Sequence, residues 1–266
     1  MPEESVKMFE RINAFRRKLE SGRTCLGPAI SFSDPAVSEA LAPVSDFLWI
    51  DLEHTAIGFD SLMSHLIAAR AGGAPALVRI PIADVGYVKR VLDSGADGII
   101  VPQIQSAAEV RAMVAACRYP PLGCRGYGPR RPSHYGRDGG AEYVERANAS
   151  IFVTAQIETA SALADLDAIV AIPGLDSLVI GPYDLSGSMG RLGQLTHPEG
   201  LAAIETIVRK ARAAGKFVGA GVGSSEEFAL QVAALGVQWL QYGGDYTYMV
   251  EHADATFAGL RRRFSQ

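Results

Sequence analysis

The sequence predicts an α/β chain closed into a (β/α)8 TIM barrel. Three observations lead there. The 266-residue length is close to the roughly 250 residues usual for that architecture. About eight short apolar runs alternate with amphipathic stretches from one end to the other, and parallel strands joined by right-handed helical crossovers are the arrangement such alternation calls for. A small form also recurs: Gly95-Ala96-Asp97-Gly98-Ile99, Gly174-Leu175-Asp176-Ser177-Leu178 and Gly236-Val237-Gln238-Trp239-Leu240 each read as a helix-ending glycine, a short step and an apolar strand. An open, doubly wound sheet is the competing arrangement, and the strand count favours closure.

The expected strands are Cys25–Ile30, Phe47–Ile50, Ala76–Val78, Gly98–Val101, Ile151–Gln156, Ser177–Ile180, Phe217–Ala220 and Trp239–Gln241. Helices carry start signals between them. Asp60 precedes Leu62, Met63, Leu66 and Ile67; Asp84 precedes Tyr87, Val88, Val91 and Leu92. Ser106 with Glu109, and Ser224 with Glu227, have capping-box spacing, in which each side chain satisfies a free backbone N–H at the helix start. The apolar residues that follow keep the helical period. No shift in composition marks a second domain, so residues 1–266 read as one barrel domain with a short helical extension over about 1–20. The Gly-, Pro- and Arg-rich segment Tyr119–Gly140 is too long for an ordinary connector and reads as a functional loop.

Bulk properties exclude several classes. The net charge of −4 comes from mixed acids and bases, which argues against nucleic acid or an anionic membrane as partner. No apolar run reaches the length of a bilayer span. The N-terminal stretch has no apolar core of a signal peptide, and Cys25, Cys117 and Cys124 fit neither a zinc site nor a disulfide framework. A cytoplasmic protein with reduced thiols is expected.

Barrel active sites lie at the C-terminal ends of the strands, so the polar residues where each apolar run stops are the candidates. They are Asp51, Glu53 and His54 after the second strand, Arg79 after the third, Gln103 after the fourth, Gln156 and Glu158 at the fifth, and Gly181-Pro182-Tyr183-Asp184 after the sixth. Two carboxylates on neighbouring strand ends, Glu158 and Asp184, suit a hard divalent cation, which takes one or two protein carboxylates and fills its other positions with water and substrate. Asp184 could instead cap the helix that follows. Arg79 suits a carboxylate or an enolate oxygen, or else a salt bridge to a rim acid. His54 suits acid–base work, whereas His65, inside a helix, reads as structural. The five lysines, Lys7, Lys18, Lys89, Lys210 and Lys216, fall away from the strand tops. Imine chemistry is therefore disfavoured, and a metal is the remaining way to stabilise an enolate.

Together, Trp49-Ile50-Asp51-Leu52-Glu53-His54, Leu77-Val78-Arg79, Val101-Pro102, Arg118-Tyr119-Pro120-Pro121-Leu122-Gly123 with Arg125-Gly126, Gln156-Ile157-Glu158-Thr159 and Ile180-Gly181-Pro182-Tyr183-Asp184-Leu185-Ser186 resemble the HpcH/HpaI aldolase family. The resemblance runs in order from about Gly22 to Phe264. It implies a pyruvate-type barrel and a metal-dependent class II aldolase acting on a 4-hydroxy-2-keto acid, with pyruvate or hydroxypyruvate and an aldehyde as small-molecule partners. It implies Glu158 and Asp184 as ligands of Mg²⁺, Mn²⁺ or Co²⁺, and Arg79 and Gln156 as contacts of the keto acid. The backbone at Gly181, Pro182, Tyr183 and Asp184 would receive the carboxylate. His54 would be the base, Asp93 its acidic partner and Asp51 a rim acid near the metal. A homo-oligomer, a hexamer or trimer of dimers with a helix exchanged between subunits, is implied as well. Tyr127, Tyr183 and the Arg130-Arg131-Pro132 run depart from the family pattern and bear on the aldehyde half. Oxaloacetate decarboxylation would use the same metal and arginine and stays open as the alternative; a non-catalytic barrel that binds a keto acid would require an inert site, against the full set of polar rim residues.

Overall fold

The structure, a computed structural model, describes residues 8–265; Met1–Lys7, part of the expected N-terminal extension, lie outside the described residues. Eight strands form a closed barrel in sequential order, every neighbouring pair parallel. They are β1 (Cys25–Ile30), β2 (Leu48–Asp51), β3 (Ala76–Arg79), β4 (Gly98–Val101), β5 (Phe152–Ile157), β6 (Ser177–Ile180), β7 (Phe217–Gly221) and β8 (Trp239–Gly244). Most strand residues are buried, as expected where a barrel wall is packed on both faces. Pairing of β8 with β1 closes the ring and removes both sheet edges.

Twelve helices surround the barrel among the described residues. Helix α1 (Glu10–Glu20) precedes β1, and α2 (Ala36–Leu41) follows it. Next come α3 (Phe59–Ala71), α4 (Val85–Ser94), α5 (Ala107–Cys117) and α6 (Gly140–Ser150). Short α7 (Ala160–Ala164) and α8 (Leu166–Val170) follow β5, and α9 (Pro182–Ser188) and α10 (Pro198–Ala213) follow β6. Helices α11 (Glu226–Ala234) and α12 (Asp245–Phe264) complete the chain. No described helix is long and apolar enough to cross a membrane.

Local signals act largely as read, with instructive shifts. Asp84 caps α4 by accepting the Gly86 N–H at 2.6 Å. Gly95 closes the same helix in the left-handed region, φ 102°, a conformation that costs glycine least. Ser106 accepts the Glu109 N–H (3.4 Å), but the Glu109 carboxylate reaches back to Gln105 N–H (2.9 Å), one residue earlier than an ideal box. Two expectations are corrected. Helix α3 has Gly58 at its cap position and Asp60 inside its first turn, where a carboxylate favours the positive helix end without capping it. Helix α11 is capped by Ser225, which accepts the Phe228 N–H at 3.2 Å, because Ser224 is drawn away to Glu251 (2.6 Å).

The N-terminal end of the barrel is shut by α1. Phe15, 1% exposed, sits with ring centroids 5.5 Å from both Phe47 and Phe152 and 6.5 Å from Trp239. Trp239 itself donates from its indole N–H to Ser177 Oγ at 3.0 Å. Around this plug, Arg11 pairs with Asp97 (3.1 Å) and Arg16 with Asp176 (2.8 Å). The plug lies at the end opposite the strand tops, so it stabilises without touching the chemistry. Phe15→Ala is expected to cost about 3–5 kcal/mol by removing a fully packed ring while leaving kcat nearly unchanged, as checked by denaturant unfolding alongside steady-state rates.

Candidate active site

The strand tops open into a hollow of about 620 Å³. Asp51, His54, Arg79, Gln156, Gly181, Pro182, Tyr183 and Asp184 all line it. It is thus built by the ends of β2, β3, β5 and β6, as the positional argument requires, and β1, β7 and β8 complete the wall with Ser31, Gly221 and Gln241.

The centre is Arg79. Asp51 and Arg79 are register partners across β2 and β3. Their side chains meet in a two-point fork, Arg79 Nε to Asp51 Oδ1 at 2.9 Å and Nη2 to Oδ2 at 2.7 Å. Glu53 takes a third position, 3.1 Å from Nη1, and Trp49 lies with its ring 5.3 Å from the guanidinium carbon. Burial works against the charge, but Asp51 and Glu53 outweigh it and hold the guanidinium above its ordinary value. Asp51 Oδ1 also accepts the Glu53 N–H at 2.9 Å, and Thr55 donates to the Asp51 carbonyl. The chain after β2 is thereby folded back, so that Glu53 and His54 face the same cluster. His54 is 62% exposed in its side chain, with Nε2 3.6 Å from Glu53 Oε2. Burial pushes the Glu53 carboxyl up; Arg79 opposes that, while Asp51 and Asp184 add to it.

Glu158 lies behind the hollow's wall and is 1% exposed. Its Oε1 accepts the Gln103 N–H at 2.6 Å, and its Oε2 is approached by the Gln156 amide. Gln103 supplies that N–H from the left-handed region, φ 55°, a strained choice for a non-glycine residue and one common where a site dictates backbone direction. Burial raises the Glu158 carboxyl, the two hydrogen bonds oppose this, and the nearby charges of Glu53 and Asp184 add to it. Gly181 is needed for space: a Cβ there would stand 2.6 Å from Glu158 Oε2. Asp184 is in the first turn of α9, where no side chain caps the helix, so the capping alternative is not realised.

These residues fit a divalent cation. The donors are hard oxygens; a buried carboxylate lies among like charges, which a cation would offset. Among the described residues no group of three or more His, Cys, Asp or Glu is placed to hold a metal ion. No lysine lines the hollow among the described residues. Lys18 pairs with Asp46, Lys210 with Asp167, and Lys216 donates to carbonyls of Ile172 and Leu175.

Two expected site residues are not brought in by the chain itself. Asp93 lies on α4 in a separate hollow with Phe59, Met63, Lys89 and Arg90, and is bonded to Arg125 at 2.6 Å. Tyr127 packs in a ring cluster with Tyr119 and Tyr143, centroids 5.7 and 6.4 Å away, and its hydroxyl accepts the Gly140 N–H at 3.4 Å. The Arg-rich loop is not a free charged arm either. Arg131 is buried and donates to the carbonyls of Ser94 (3.3 Å) and Leu66 (3.1 Å), tying the loop to α3 and α4. His134 bridges Arg70 and Asp138 at 3.2 and 2.8 Å. Sequence reasoning passed over Trp49, Gln241, Tyr246 and Thr247, all on the wall. Extending the strand-end rule to β8 would have found the last three.

A barrel whose mouth gathers a clamped arginine, an exposed histidine and buried carboxylates has the makings of an enzyme active site. Comparison with known proteins agrees. The family model described as HpcH/HpaI aldolase/citrate lyase matches residues 31–251. A 4-hydroxy-2-oxovalerate aldolase of Rhodococcus jostii is 36% identical over 97% of this chain and 98% of its own length. A hydroxypyruvate/pyruvate aldolase of Pseudomonas aeruginosa is 35% identical over 90% of this chain and 89% of its own. The crystal structure of an HpcH/HpaI aldolase from Desulfitobacterium hafniense superposes with a TM-score of 0.85 at 31% identity, covering 92% of this chain and 96% of that one. The chain belongs to the HpcH/HpaI aldolase/citrate lyase family and is a carbon–carbon lyase of the aldolase type.

One consequence concerns the cost of Glu158. Its raised folded-state value means that the ionised form is disfavoured by the fold, so stability is lost as pH rises through that value. Glu158→Gln removes the charge. Gln156 Oε1, buried and without a hydrogen-bond partner, can then turn to accept from the new amide. Without metal, the melting temperature of wild type is expected to fall as pH rises through the raised Glu158 value while that of the variant falls less, and with metal restored the variant is expected to have lost aldolase activity; the same pH dependence in both would contradict this placement.

Proposed function

We propose that this chain catalyses reversible aldol cleavage of a 4-hydroxy-2-keto acid to pyruvate, or hydroxypyruvate, and an aldehyde, with Mg²⁺, Mn²⁺ or Co²⁺ held by Glu158 and Asp184. The observation that carries the reading is Arg79, clamped by Asp51 and Glu53 in the hollow, with Glu158 buried among other carboxylates just behind its wall. When bound, the cation supplies a positive charge that polarises the 2-keto group and stabilises the enolate.

The chain's own residues do the rest. The backbone N–H groups of Tyr183 and Asp184, in the first turn of α9, receive the keto-acid carboxylate, since helix N-termini leave N–H groups unpaired. The Gln156 amide orients the keto group. Arg79 donates two N–H groups to Asp51, has Glu53 as an ion-pair neighbour at Nη1, and keeps its remaining N–H groups for the substrate. His54 takes the proton from the C4 hydroxyl. The C3–C4 bond breaks, its electron pair stays at C3 as the enolate, and the aldehyde leaves. Arg79 meets the developing oxyanion, and protonation of C3 gives the methyl group of pyruvate. Reversal of these steps is aldol addition.

Asp93 enters this scheme from a second copy. It is held away from His54 of its own chain, on an outer helix. Helix α12 also presents exposed Met249, Val250, Phe257 and Phe264, an apolar stripe of the kind that marks association. We assign the enzyme a homo-oligomer, a hexamer or trimer of dimers, in which Asp93 of one subunit orients His54 of another. The free thiols of Cys25, Cys117 and Cys124 suit the reducing cytoplasm.

Arg79→Ala is expected to lower kcat by about 10²–10³-fold, the usual worth of one oxyanion donor, and a near-normal rate would remove Arg79 from this role. Exhaustive chelation is expected to abolish turnover, with recovery on adding Mg²⁺ or Mn²⁺. His54→Ala and Asp93→Asn chains, each inactive alone, are expected to regain activity when co-assembled, because some sites then combine both native residues. Mixtures as inactive as their parents would exclude the shared site.

A further inference from the structure

The Gly-, Pro- and Arg-rich segment that follows α5 contributes nothing to the hollow at the strand tops of its own chain, since none of its residues lines that wall. It delivers one guanidinium elsewhere. Arg125 donates from Nη2 to Asp93 Oδ1 at 2.6 Å, its own side chain 0% exposed and that of Asp93 20% exposed. A buried donor thus holds a carboxylate that stays open to its surroundings.

The mount of Arg125 is rigid. Its backbone N–H binds the Arg118 carbonyl at 2.9 Å, and the Cys124 N–H binds the Ala115 carbonyl at 2.8 Å, which folds the segment back onto the end of α5. Gly123 makes this fold possible, because a Cβ there would stand 2.3 Å from the Ala115 oxygen. Asn148 of α6 grips Tyr119 at both backbone groups, accepting its N–H at 2.7 Å and donating to its carbonyl at 3.1 Å. The Tyr119 ring lies 4.5 Å from the guanidinium carbon of Arg125, a cation–π contact that holds the group in place.

The pair is not shaped for stability alone. An arginine that serves only to close an ion pair does best as a two-point fork, as Arg79 does with Asp51. Arg125 makes a single contact with Asp93. Its Nε and Nη1 are buried without a hydrogen-bond partner, a costly arrangement for a guanidinium. The one-point contact leaves Asp93 Oδ2 without a hydrogen bond among the described residues. That oxygen lies on the Gly128 side, in the hollow that Lys89, Arg90, Arg130 and Asp60 also line. The three further cations there are exposed, and only the buried Arg125 is packed so as to fix a direction.

We propose that Arg125 is a positioning residue for the reaction, turning Asp93 so that its Oδ2 accepts a ring N–H of His54 from a second copy. The proposal rests on the shared His54–Asp93 site above. When His54 takes the proton of the C4 hydroxyl it becomes an imidazolium, and a carboxylate fixed on its other ring N–H orients the ring and stabilises the charge formed. Arg125 touches neither substrate nor His54 and acts through Asp93. The work of the Tyr119–Gly140 segment is thereby done at the neighbouring copy's site and not at its own.

The test is a double-mutant cycle on the metal-loaded, full-length enzyme, with cleavage of 4-hydroxy-2-oxovalerate and of 4-hydroxy-2-oxoheptanedioate followed as pyruvate release and assembly checked by sedimentation. Asp93→Asn, which keeps an acceptor for Arg125, and Arg125→Met are each expected to lower kcat about tenfold to a hundredfold, part of the roughly 10²–10⁴-fold that a positioned base supplies. KM is expected to stay near the wild-type value in both. Arg125→Lys, which spares the fold by keeping the charge, is expected to lower kcat by about threefold or more, because a flexible ammonium fixes no direction. It decides the matter if Arg125→Met does not assemble. Either Arg125 variant combined with Asp93→Asn is expected to be no more than about twofold slower than Asp93→Asn alone, since residues that act through one another do not add. A wild-type kcat in an assembled Arg125 variant while Asp93→Asn is slow overturns the assignment of Arg125 alone. So do losses that add fully to that of Asp93→Asn, or that fall on KM instead of kcat. A wild-type kcat in Asp93→Asn defeats the shared site and this proposal with it. Absence of pyruvate from both substrates with wild-type enzyme defeats the aldolase reading as a whole.

Discussion

Asp51 and Arg79 stand opposite each other in the register of β2 and β3, and the two-point ion pair between them is the contact on which the mouth of this barrel depends. Register in a parallel sheet cannot slip by one residue without turning every side chain to the other face. The pair is therefore fixed by the same hydrogen bonds that close the barrel. Once it is made, the guanidinium has a defined plane, Glu53 can take its remaining flank, and the backbone after β2 folds back through the Glu53 N–H and Thr55 contacts to the same aspartate. His54 is carried into position by that turn. A functional group is held by secondary structure and by packed neighbours, which is how a site reaches the precision that its chemistry needs.

The second constraint is electrostatic and pulls the other way. Glu53, Glu158 and Asp184 crowd carboxyl groups around a partly desolvated space, and burial together with these neighbours raises Glu158 above the ordinary carboxylate range. Hydrogen bonds from Gln103 and Gln156 lessen the rise without removing it. Such frustration is ordinary at active sites and is released by the ligand the site is built for. The glycine at 181 serves the same end, since any larger residue would press on Glu158 Oε2. Stability and function are thus opposed at these few residues, while the Phe15 plug at the far end of the barrel provides stability that the chemistry does not draw on.

Much of this was legible in the sequence because it follows from periodicity and position. The eight strands fall within one residue or so of their expected ends, except β8, which runs to Gly244 where the apolar signal stops at Gln241. Asp51, His54, Arg79, Gln156, Gly181, Pro182, Tyr183 and Asp184 line one hollow because each follows an apolar run on the same end of a parallel barrel. What was not legible depends on three-dimensional partners. Ser225 rather than Ser224 caps α11 because Glu251, far along the chain, captures the neighbouring hydroxyl. Arg131, expected in a loop bearing on the aldehyde half, is instead buried against the carbonyls of two helices. Asp245 carries no motif in the sequence, and its grip on the β1 loop exists only because β1 and β8 are adjacent. Asp93 carries no local sign of involvement at all; in the structure it sits on α4, bonded to Arg125 and outside the hollow of its own chain.

The central claim is that Arg79, Glu158 and Asp184 form one enolate-stabilising centre that works with a divalent cation. It is tested most directly on the half-reaction that needs no aldehyde and no His54 proton transfer from a C4 hydroxyl: deuterium exchange from solvent into the methyl group of pyruvate. Wild-type enzyme with Mn²⁺ is expected to catalyse the exchange, and Asp184→Asn, or wild type under exhaustive chelation, to bring it to the uncatalysed rate. Exchange that persists at the wild-type rate in Asp184→Asn and without metal would contradict the account.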